Sequence, residues 1–207
     1  MRCFVFAAGE FDDLTERPGP GDLILAADAG YQNCRRAGLR PTVVIGDFDS
    51  MSAPEGETLL RLPVEKDDTD TMFSLRLGLE RGCRDFVLYG ATGGARSDHT
   101  LANLQGLVFL ASHGAEGRIY APGCVWRVLK NGSLQFPAGM RGTLSVFCPD
   151  GEARGVTIEG TKYTLRGGTL RSDFPLGVSN SFKGGPACVR VEDGTLLLYY
   201  EMQEIMP

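Results

Sequence analysis

The chain has 207 residues, of which 43% are hydrophobic and 23% charged, and its formal net charge is −5 at pH 7. This length suits one large domain or two small ones, and the apolar content suits a globular core. The negative charge argues against a nucleic-acid backbone as a partner. Because no apolar run reaches membrane-spanning length and the N-terminal residues do not resemble a signal peptide, we expect a cytoplasmic protein that binds no membrane.

Strand and helix patterns alternate over the first part of the chain. Four short apolar runs, at residues 2–8, 22–28, 42–47 and 85–91, have the continuous hydrophobicity of strands that are covered on both faces. Helical spacing follows two of these runs and predicts that the leucines point inward. The inward positions are Met72, Leu75 and Leu79 in one helix, capped by Asp68 or Thr69, and Leu101, Leu104, Val108 and Ala111 in the next, capped by Ser97 or Asp98.

Beyond about residue 120 the helical periodicity stops and short β-rich runs recur. Dipeptides typical of hairpin turns stand between these runs: Asn131-Gly132, Asp150-Gly151, Gly167-Gly168 and Asp193-Gly194. We therefore predict an α/β domain with a mostly parallel sheet over residues 1–122, followed by an all-β sandwich domain over residues 123–207.

Two aspartates, Asp47 and Asp49, directly follow the third apolar run in the stretch TVVIGDFDS. If this segment is extended, their carboxylates project to the same side and repel each other unless a cation lies between them. All-oxygen ligands of this kind suit Mg²⁺, and the carboxyl end of a strand is where α/β sheets bind ligands. The alternative is a pair of turn-forming or capping residues.

The stretch KDDTD, residues 66–70, marks the start of a helix. One or two of its acids can serve as helix caps, but a single cap does not need three aspartates. Lys66 adds a cation suited to phosphate, and Asp70 can point back toward Asp47 and Asp49. The pattern therefore predicts a second part of the same anionic site.

A glycine-rich loop, GATGGARSDH at residues 90–99, joins a strand to a helix. Gly93 and Gly94 let the main chain approach a ligand closely, and the free N–H groups of the helix N-terminus favour phosphate. Arg96 can bind phosphate oxygens with its guanidinium, while Asp98 is either the helix cap or a partner of Arg96 or the metal. There is no Walker A motif, so the loop alone is a moderate indication of a phosphate site.

Three weaker candidates remain. Asp28 ends the second apolar run, and with Gly30 behind it can bind a ribose hydroxyl or begin a helix. Ser179 and Asn180 offer a hydroxyl and an amide suited to a polar heterocycle. The tyrosines at 199–200 can stack on a flat ring, although packing is the more common role of a strand tyrosine.

Taken in order, the blocks ADAG, GDFDS, KDDTD, GGARSDHTLANL and VSNSF resemble the signature blocks of the thiamin pyrophosphokinase (thiamine diphosphokinase) family. The resemblance implies an α/β catalytic domain, a thiamin-binding β-sandwich and a homodimer. It also implies Mg²⁺-dependent transfer of the pyrophosphoryl group of ATP to thiamin, which gives thiamin diphosphate and AMP.

The same resemblance implies roles for individual residues. Asp47, Asp49 and Asp70 fall on the metal and phosphate positions, and the first hypothesis for catalysis combines them with Arg96. The nucleotide-site blocks contain Asp28, Lys66, Asp67, Thr69, Arg96 and Asp98, and the thiamin-facing segment contains Ser179 and Asn180.

Two other functions fit part of the pattern. A nucleotide-sugar transferase would explain the Asp47 and Asp49 pair, but it gives no role to KDDTD or to the glycine-rich loop. A regulator that binds thiamin or a nucleotide without catalysis would have a site that has lost its catalytic residues, whereas this sequence retains every aspartate of the motifs and Arg96.

Overall fold

The computed structural model describes residues 1–48, 54–63 and 67–202. The chain divides into two units, Met1–Pro122 and Gly123–Pro207. Within the described ranges, no helix is long and apolar enough to cross a membrane.

Unit 1 is built on a sheet whose described strands are all parallel. Its strands are β1 Arg2–Phe6, β2 Leu23–Ala27, β3 Val43–Gly46, β4 Leu59–Arg61, β5 Asp85–Tyr89 and β6 Glu116–Ala121. Its helices are α1 Gly30–Arg36, α2 Asp70–Glu80 and α3 Ser97–Ser112. The strand order is β6-β5-β1-β2-β3-β4. This arrangement confirms the predicted α/β unit with a mostly parallel sheet.

The central strands are buried on both faces, which explains their unbroken apolar sequences. Four successive residues of β1, Cys3 to Phe6, are all fully buried. Phe6 packs on one face against Phe11 and Tyr89. On the opposite face, α2 approaches so closely that a Cβ on Gly78 would lie 3.0 Å from Cys3 Sγ. Parallel strands covered on both faces have no solvent side that would select alternating polar residues.

The predicted inward face of α3 is wrong for most of its residues. Leu101 is 61% exposed, and Leu104 and Val108 are only half-buried. The buried residues of α3 are Asn103, Gly106, Leu107, Leu110 and Ala111. In α2, Leu75 is buried as predicted, but beside it lie the small residues Thr71, Ser74 and Gly78. Both helices turn small or polar residues inward because they pack closely on the sheet or border a cleft, and a count of apolar side chains misses such residues.

The segment between β1 and β2, residues 7–22, crosses one face of the sheet without forming a helix. Phe11 and the partly buried Leu14 pack into the core where a crossover helix usually lies. The Tyr89 hydroxyl accepts a hydrogen bond from the Glu16 amide and donates one to the Glu16 carbonyl, at 2.8 and 2.9 Å. Side chains from the sheet thus substitute for helical hydrogen bonds in fixing this segment.

A buried arginine, Arg118 of β6, fastens the same segment by charge. Its Nε and Nη2 donate to the two carboxylate oxygens of Glu16 at 2.6 and 2.7 Å, and its Nη1 donates to Asp85 at 2.5 Å. The Tyr120 hydroxyl also donates to Glu16, at 2.6 Å. The hydrogen bonds from Arg118 are the main reason that the pKa of Glu16 falls to about 2 from its usual 4.5.

Unit 2 is a sandwich of two sheets, which confirms the predicted all-β unit. The first sheet has the order β12-β9-β14-β7 and the second β11-β10-β13-β8. The strands are β7 Cys124–Lys130, β8 Ser133–Phe136, β9 Thr143–Phe147, β10 Glu152–Glu159, β11 Leu165–Arg171, β12 Asn180–Ser181, β13 Ala187–Arg190 and β14 Thr195–Glu201. Leu144, Val146 and Leu198 of the first sheet share one core with Ile158 and Val189 of the second. Side chains that alternate between the inner and outer face along each strand supply the residues of this core.

None of the four turn dipeptides forms the hairpin that the sequence predicts. Asn131-Gly132, Asp150-Gly151 and Asp193-Gly194 each join a strand of one sheet to a strand of the other. Gly167-Gly168 lies inside β11. These dipeptides allow sharp changes of direction, and the same backbone freedom serves a corner between sheets as well as a hairpin.

We predict that Glu16→Gln lowers the free energy of unfolding at pH 7 by about 2 kcal/mol, because a neutral amide then replaces one of the two carboxylates that pair with the largely buried Arg118. The folded pKa of Glu16 lies below its usual value, so its contribution is complete above about pH 4.5 and is lost as the pH falls toward 2. Chemical denaturation at pH 7 and pH 3 should therefore show a smaller difference between variant and wild type at pH 3.

The matched control is Glu159→Gln, which removes an exposed carboxylate paired with Arg166 at 2.8 Å. Exposed pairs contribute little, so its effect should stay within about 0.5 kcal/mol. Equal effects of the two variants would contradict the role given to Glu16.

Candidate functional site

A cleft of about 220 Å³ opens at the carboxyl edge of the sheet in unit 1. The chain runs outward from β1 to β4 on one side, then returns to place β5 on the other side of β1. The carboxyl ends of β1 and β5 therefore form the topological switch point, where open α/β sheets bind ligands. The residues that line the cleft are Ala7, Ala8, Gly9, Ala27, Asp28, Thr69, Asp70, Thr71, Gly90, Ala91, Gly93, Gly94, Ala95, Arg96, His99, Thr100 and Asn103.

The floor of the cleft is formed by two main-chain segments in direct contact. Beyond the paired ends of β1 and β5, the Gly9 amide donates to the Gly90 carbonyl at 2.6 Å, and the Glu10 amide donates to the Thr92 carbonyl at 2.8 Å. A Cβ on Gly9 would collide with the Thr92 carbonyl oxygen and lie 2.7 Å from that of Gly90. Only glycine at position 9 allows this approach.

The glycine-rich loop forms one wall of the cleft, as the sequence predicts. Gly93 and Gly94 have φ values of +72° and +77°, which strain any residue with a Cβ. The Gly94 amide donates to Glu10 Oε1 at 3.5 Å, so a carboxylate already lies near this loop amide. An exposed amide that faces an anion is the arrangement expected of a phosphate-binding loop.

Arg96 lies on the rim of the cleft and pairs with Asp98. Its Nε and Nη2 donate to the two Asp98 oxygens at 2.9 and 2.7 Å. This pairing lowers the pKa of Asp98 to about 2, chiefly through the hydrogen bonds from Arg96. Helix α3 begins at Ser97, with Arg96 as its N-cap residue and no side-chain cap, so neither Ser97 nor Asp98 has the capping role. Asp98 instead orients Arg96.

Asp28 lies at the end of β2 and lines the cleft, with its Oδ1 buried. Its φ is +46°, and a Cβ on Gly46 would come within 3.3 Å of the Asp28 Cα. The N-cap residue of α1 is Ala29, so Asp28 is not the cap. Gly30 does not line the cleft, and a Cβ there would collide with the Phe6 carbonyl oxygen. Its absence of a side chain is needed for α1 to pack on β1.

Thr69 and Asp70 reach the cleft from the start of α2. The Thr69 hydroxyl accepts a hydrogen bond from the Met72 amide at 3.1 Å, which confirms its predicted role as N-cap. Asp70 is the first residue of α2, and its Oδ1 is buried. Asp68 is paired with Arg76 at 2.5 Å, whereas Asp67 is exposed outside the cleft lining.

The structure describes only the first residue of the Asp47 and Asp49 pair. Asp47 directly follows β3, is half-buried and does not line the cleft. Phe48 has a φ of +61°, so the chain is not extended there and the predicted same-side projection of Asp47 and Asp49 does not follow. Asp49 and Lys66 lie outside the described residues. Within the described ranges, no three His, Cys, Asp or Glu side chains gather as a metal site.

In unit 2, Ser179 lies in a turn and Asn180 begins β12, the strand that pairs with β9. Ser179 has a φ of +60°, and its amide donates to the Ser145 hydroxyl at 3.0 Å. The Asn180 amide group donates to Thr161 Oγ1 and the Tyr163 carbonyl, and accepts from the Tyr163 amide. Asn180 is therefore used to hold the neighbouring loop. The tyrosine pair at 199–200 packs against other aromatic rings, one of them Trp126.

Comparisons with known proteins give a consistent result. The family model described as "Thiamin pyrophosphokinase, catalytic domain" matches residues 20–117. The model described as "Thiamin pyrophosphokinase, vitamin B1 binding domain" matches residues 133–196.

The chain belongs to the thiamin pyrophosphokinase family. A thiamine pyrophosphokinase of Bacillus subtilis is 33% identical over 100 residues, which cover 45% of this chain and 46% of that protein. The match thus spans about half the length of that relative.

Solved thiamin pyrophosphokinases share the fold over nearly the whole chain. The Bacillus subtilis structure has a TM-score of 0.85 at 22% identity, covering 99% of this chain and 100% of that one. A family protein of Enterococcus faecalis gives 0.80 at 27% identity, covering 99% and 100%. The yeast enzyme gives 0.73 at 14% identity, covering 97% and 86%.

The sequence patterns do not predict several residues that line the cleft of this family member. Ala7, Ala8 and Gly9 form much of the floor, and Thr100 and Asn103 extend the α3 side of the lining. The available signal was the run of small residues after the first strand, which marks a close approach of main chains. For Asn103, the available signal was the presence of a side-chain amide in a helix whose buried face was predicted from its apolar residues alone.

We predict that Gly9→Ala destabilises the fold by about 1–3 kcal/mol, because the added methyl group overlaps main-chain atoms that cannot move aside cheaply. Thermal and chemical denaturation measure this effect. Gly19→Ala is the control, since its Cβ would meet its nearest neighbour at an ordinary 3.8 Å. Indistinguishable stabilities of the two variants would show that the two segments are not locked together at Gly9.

Proposed function

We propose that this chain transfers the pyrophosphoryl group of ATP to thiamin, giving thiamin diphosphate and AMP. The observation that carries the proposal is the cleft at the switch point, where carboxylates face a glycine-rich loop and an arginine in a member of this family. Acidic groups on one side and phosphate-binding groups on the other are what a metal–nucleotide complex requires.

The triphosphate is placed against the α3 side of the cleft. The main-chain amides of Gly93 and Gly94 and the N-terminus of α3 favour negative charge there. Arg96 supplies a fixed positive charge at the rim, held in orientation by Asp98. On the opposite wall, Asp28 and Thr69 are the proposed nucleotide contacts. Asp67, which is exposed outside the cleft lining, and the cation of Lys66, which lies outside the described residues, are proposed as further contacts.

Asp47, Asp49 and Asp70 are the proposed ligands of Mg²⁺. The donor chemistry fits, because carboxylate oxygens are the protein ligands that Mg²⁺ prefers and the Asp28 and Asp70 carboxylates line the cleft. When bound, Mg²⁺ neutralises charge on the phosphate oxygens.

The reaction is an in-line displacement. The hydroxyl oxygen of thiamin forms a bond to the β-phosphorus of ATP, the bond from that phosphorus to the α,β-bridging oxygen breaks, and AMP departs with the bonding pair. A site aspartate accepts the hydroxyl proton. Arg96 and the loop amides stabilise the charge that develops on the departing AMP, so most of the catalysis is positioning and electrostatics.

Unit 2 is the proposed thiamin-binding domain. Ser179 contributes its hydroxyl to the thiamin site. Asn180 contributes by holding the Thr161–Tyr163 loop, because its side-chain amide is already engaged there. The nucleotide-sugar transferase and the non-catalytic regulator are not favoured, since the family matches cover both the catalytic and the vitamin B1 binding domain models.

Phosphorus NMR of the protein with MgATP and thiamin tests the reaction. AMP and thiamin diphosphate should appear only when both thiamin and Mg²⁺ are present. Asn substitutions at Asp47, Asp49 and Asp70 should each lower kcat by about 100-fold or more without unfolding the protein.

Asp68→Asn is the matched control, because this carboxylate lies in the same KDDTD stretch but pairs with Arg76. Its activity should stay near wild type. ADP and thiamin monophosphate as products would move the attack to the γ-phosphorus, and a fully active Asp49→Asn enzyme would overturn the metal assignment.

A homodimer is the proposed assembly. Unit 2 exposes four large apolar side chains on neighbouring turns, Tyr163, Phe174, Leu176 and Val178, with exposed fractions between 37% and 62%. Such a surface is typical of an interface. Light scattering should give twice the mass of the chain, and Leu176→Asp should shift it toward the monomer. Ala138→Asp, at an exposed loop residue, is the control, and a monomeric wild type would contradict the assembly.

A further inference from the structure

Two buried asparagines lie against the main chain that forms the floor of the cleft. Asn33 belongs to α1 and Asn103 to α3, and each is only 7% exposed. A polar side chain is costly to bury unless it is hydrogen-bonded, so the contacts of these two amide groups indicate why they are present.

Asn33 holds the segment that follows β1. Its Nδ2 donates to the carbonyl oxygens of Ala7 at 2.8 Å and Gly9 at 3.0 Å. The same nitrogen would lie 2.7 Å from a Cβ on Gly90, so the amide group also fits against the segment that follows β5. The Asn33 Oδ1 accepts from Arg36 at 3.4 Å. Asn33 does not line the cleft itself.

Asn103 holds the segment that follows β5. Its Nδ2 donates to the Ala91 carbonyl oxygen at 2.8 Å, and this hydrogen bond is buried. Ala91 lies in the glycine-rich loop, between Gly90, which meets the segment that follows β1, and Gly93. Unlike Asn33, Asn103 also lines the cleft.

Together, the two amides fix the carbonyl groups of three floor residues just beyond the ends of β1 and β5. A neutral amide can donate to these carbonyls at close range, which neither an apolar side chain nor a carboxylate can do. Without these donors the three carbonyls, whose hydrogen bonds are buried at Ala7 and Ala91 and partly buried at Gly9, would lose a partner, and the floor would shift to find others.

We propose that Asn33 and Asn103 are positioning residues for the nucleotide. They hold the floor of the cleft and the start of the glycine-rich loop in the shape that receives the triphosphate, and they take no part in the chemical step. This inference rests on the proposed function, because it takes the cleft as the nucleotide site.

Single substitutions by leucine, which is similar in size but has no donor, test the proposal at each position. Each variant should raise KM and Kd for MgATP by about five- to tenfold, the factor expected for one or two lost hydrogen bonds. The value of kcat should change by less than about threefold, and KM for thiamin should not change.

The aspartate variants N33D and N103D give a second test that keeps the side-chain shape. An ionised carboxylate faces the floor carbonyls as an acceptor, so nucleotide affinity should fall at neutral pH. A protonated carboxyl group can donate, so affinity should recover toward wild type as the pH is lowered, whereas the leucine variants should show no such recovery.

Asn131→Gly is the control for a general loss of stability. It removes a hydrogen bond from the Gly194 amide to Asn131 Oδ1 at 2.8 Å in unit 2, and the Asn131 φ of +45° suits glycine. This variant should lose some thermal stability while KM for MgATP stays at the wild-type value.

Isothermal calorimetry with MgATP and without thiamin measures Kd independently of turnover. Unchanged nucleotide affinity in the Asn33 and Asn103 variants, with lowered Tm alone, would overturn the proposal in favour of simple packing. An effect confined to Asn103 would also overturn it, since that pattern indicates direct contact with the ligand. If the wild type binds MgATP but makes no thiamin diphosphate, the proposed function fails while this test still stands, and if the wild type does not bind MgATP both fail.

Discussion

The close approach of two main chains beyond β1 and β5 is the constraint on which the site depends. Just beyond the ends of these two strands, the Gly9 amide donates a hydrogen bond to the Gly90 carbonyl at 2.6 Å. Any larger residue at position 9 would separate the two segments. The cleft exists because the segments stay together while the chains on either side of them turn in opposite directions.

The site also depends on the segment between β1 and β2, which packs against the sheet without forming a helix. Phe11 covers the core there, and the Glu16–Arg118 pair joins the segment to strand β6. One face of unit 1 is therefore covered by α1, by aromatic packing and by this ion pair, whereas the other is covered by α2 and α3. The floor of the cleft begins at Ala7, the first residue of this irregular segment, so the stability of the crossover and the shape of the cleft are linked.

The sequence predicted the strands and the fold class better than it predicted which residues of each element are buried and which strands pair. Strand positions and fold class followed from continuous apolar runs, and Thr69, Arg96 and the glycine pair at 93–94 followed from motifs that the structure places in the cleft. The inward face of α3 could not be found by counting leucines, because its N-terminal part faces a polar cleft and its later part packs through Gly106. Three of the four dipeptides do lie in turns between strands, as predicted. Which sheet the following strand joins, however, depends on its pairing with strands that are distant in the sequence.

Those corner turns determine how unit 2 must acquire its structure. Among the strand pairings of residues 123–202, only β10 with β11 joins strands that are neighbours along the chain, whereas β7 pairs with β14 and β8 pairs with β13. Loops of many residues must close before these contacts form, and such non-local topology slows folding. Few stable hairpins can accumulate on the way, so the two sheets gain their stability together, in a late and cooperative step. Newly made chains of this family member therefore complete the two sheets only after β14, the last of the described strands, has been synthesised.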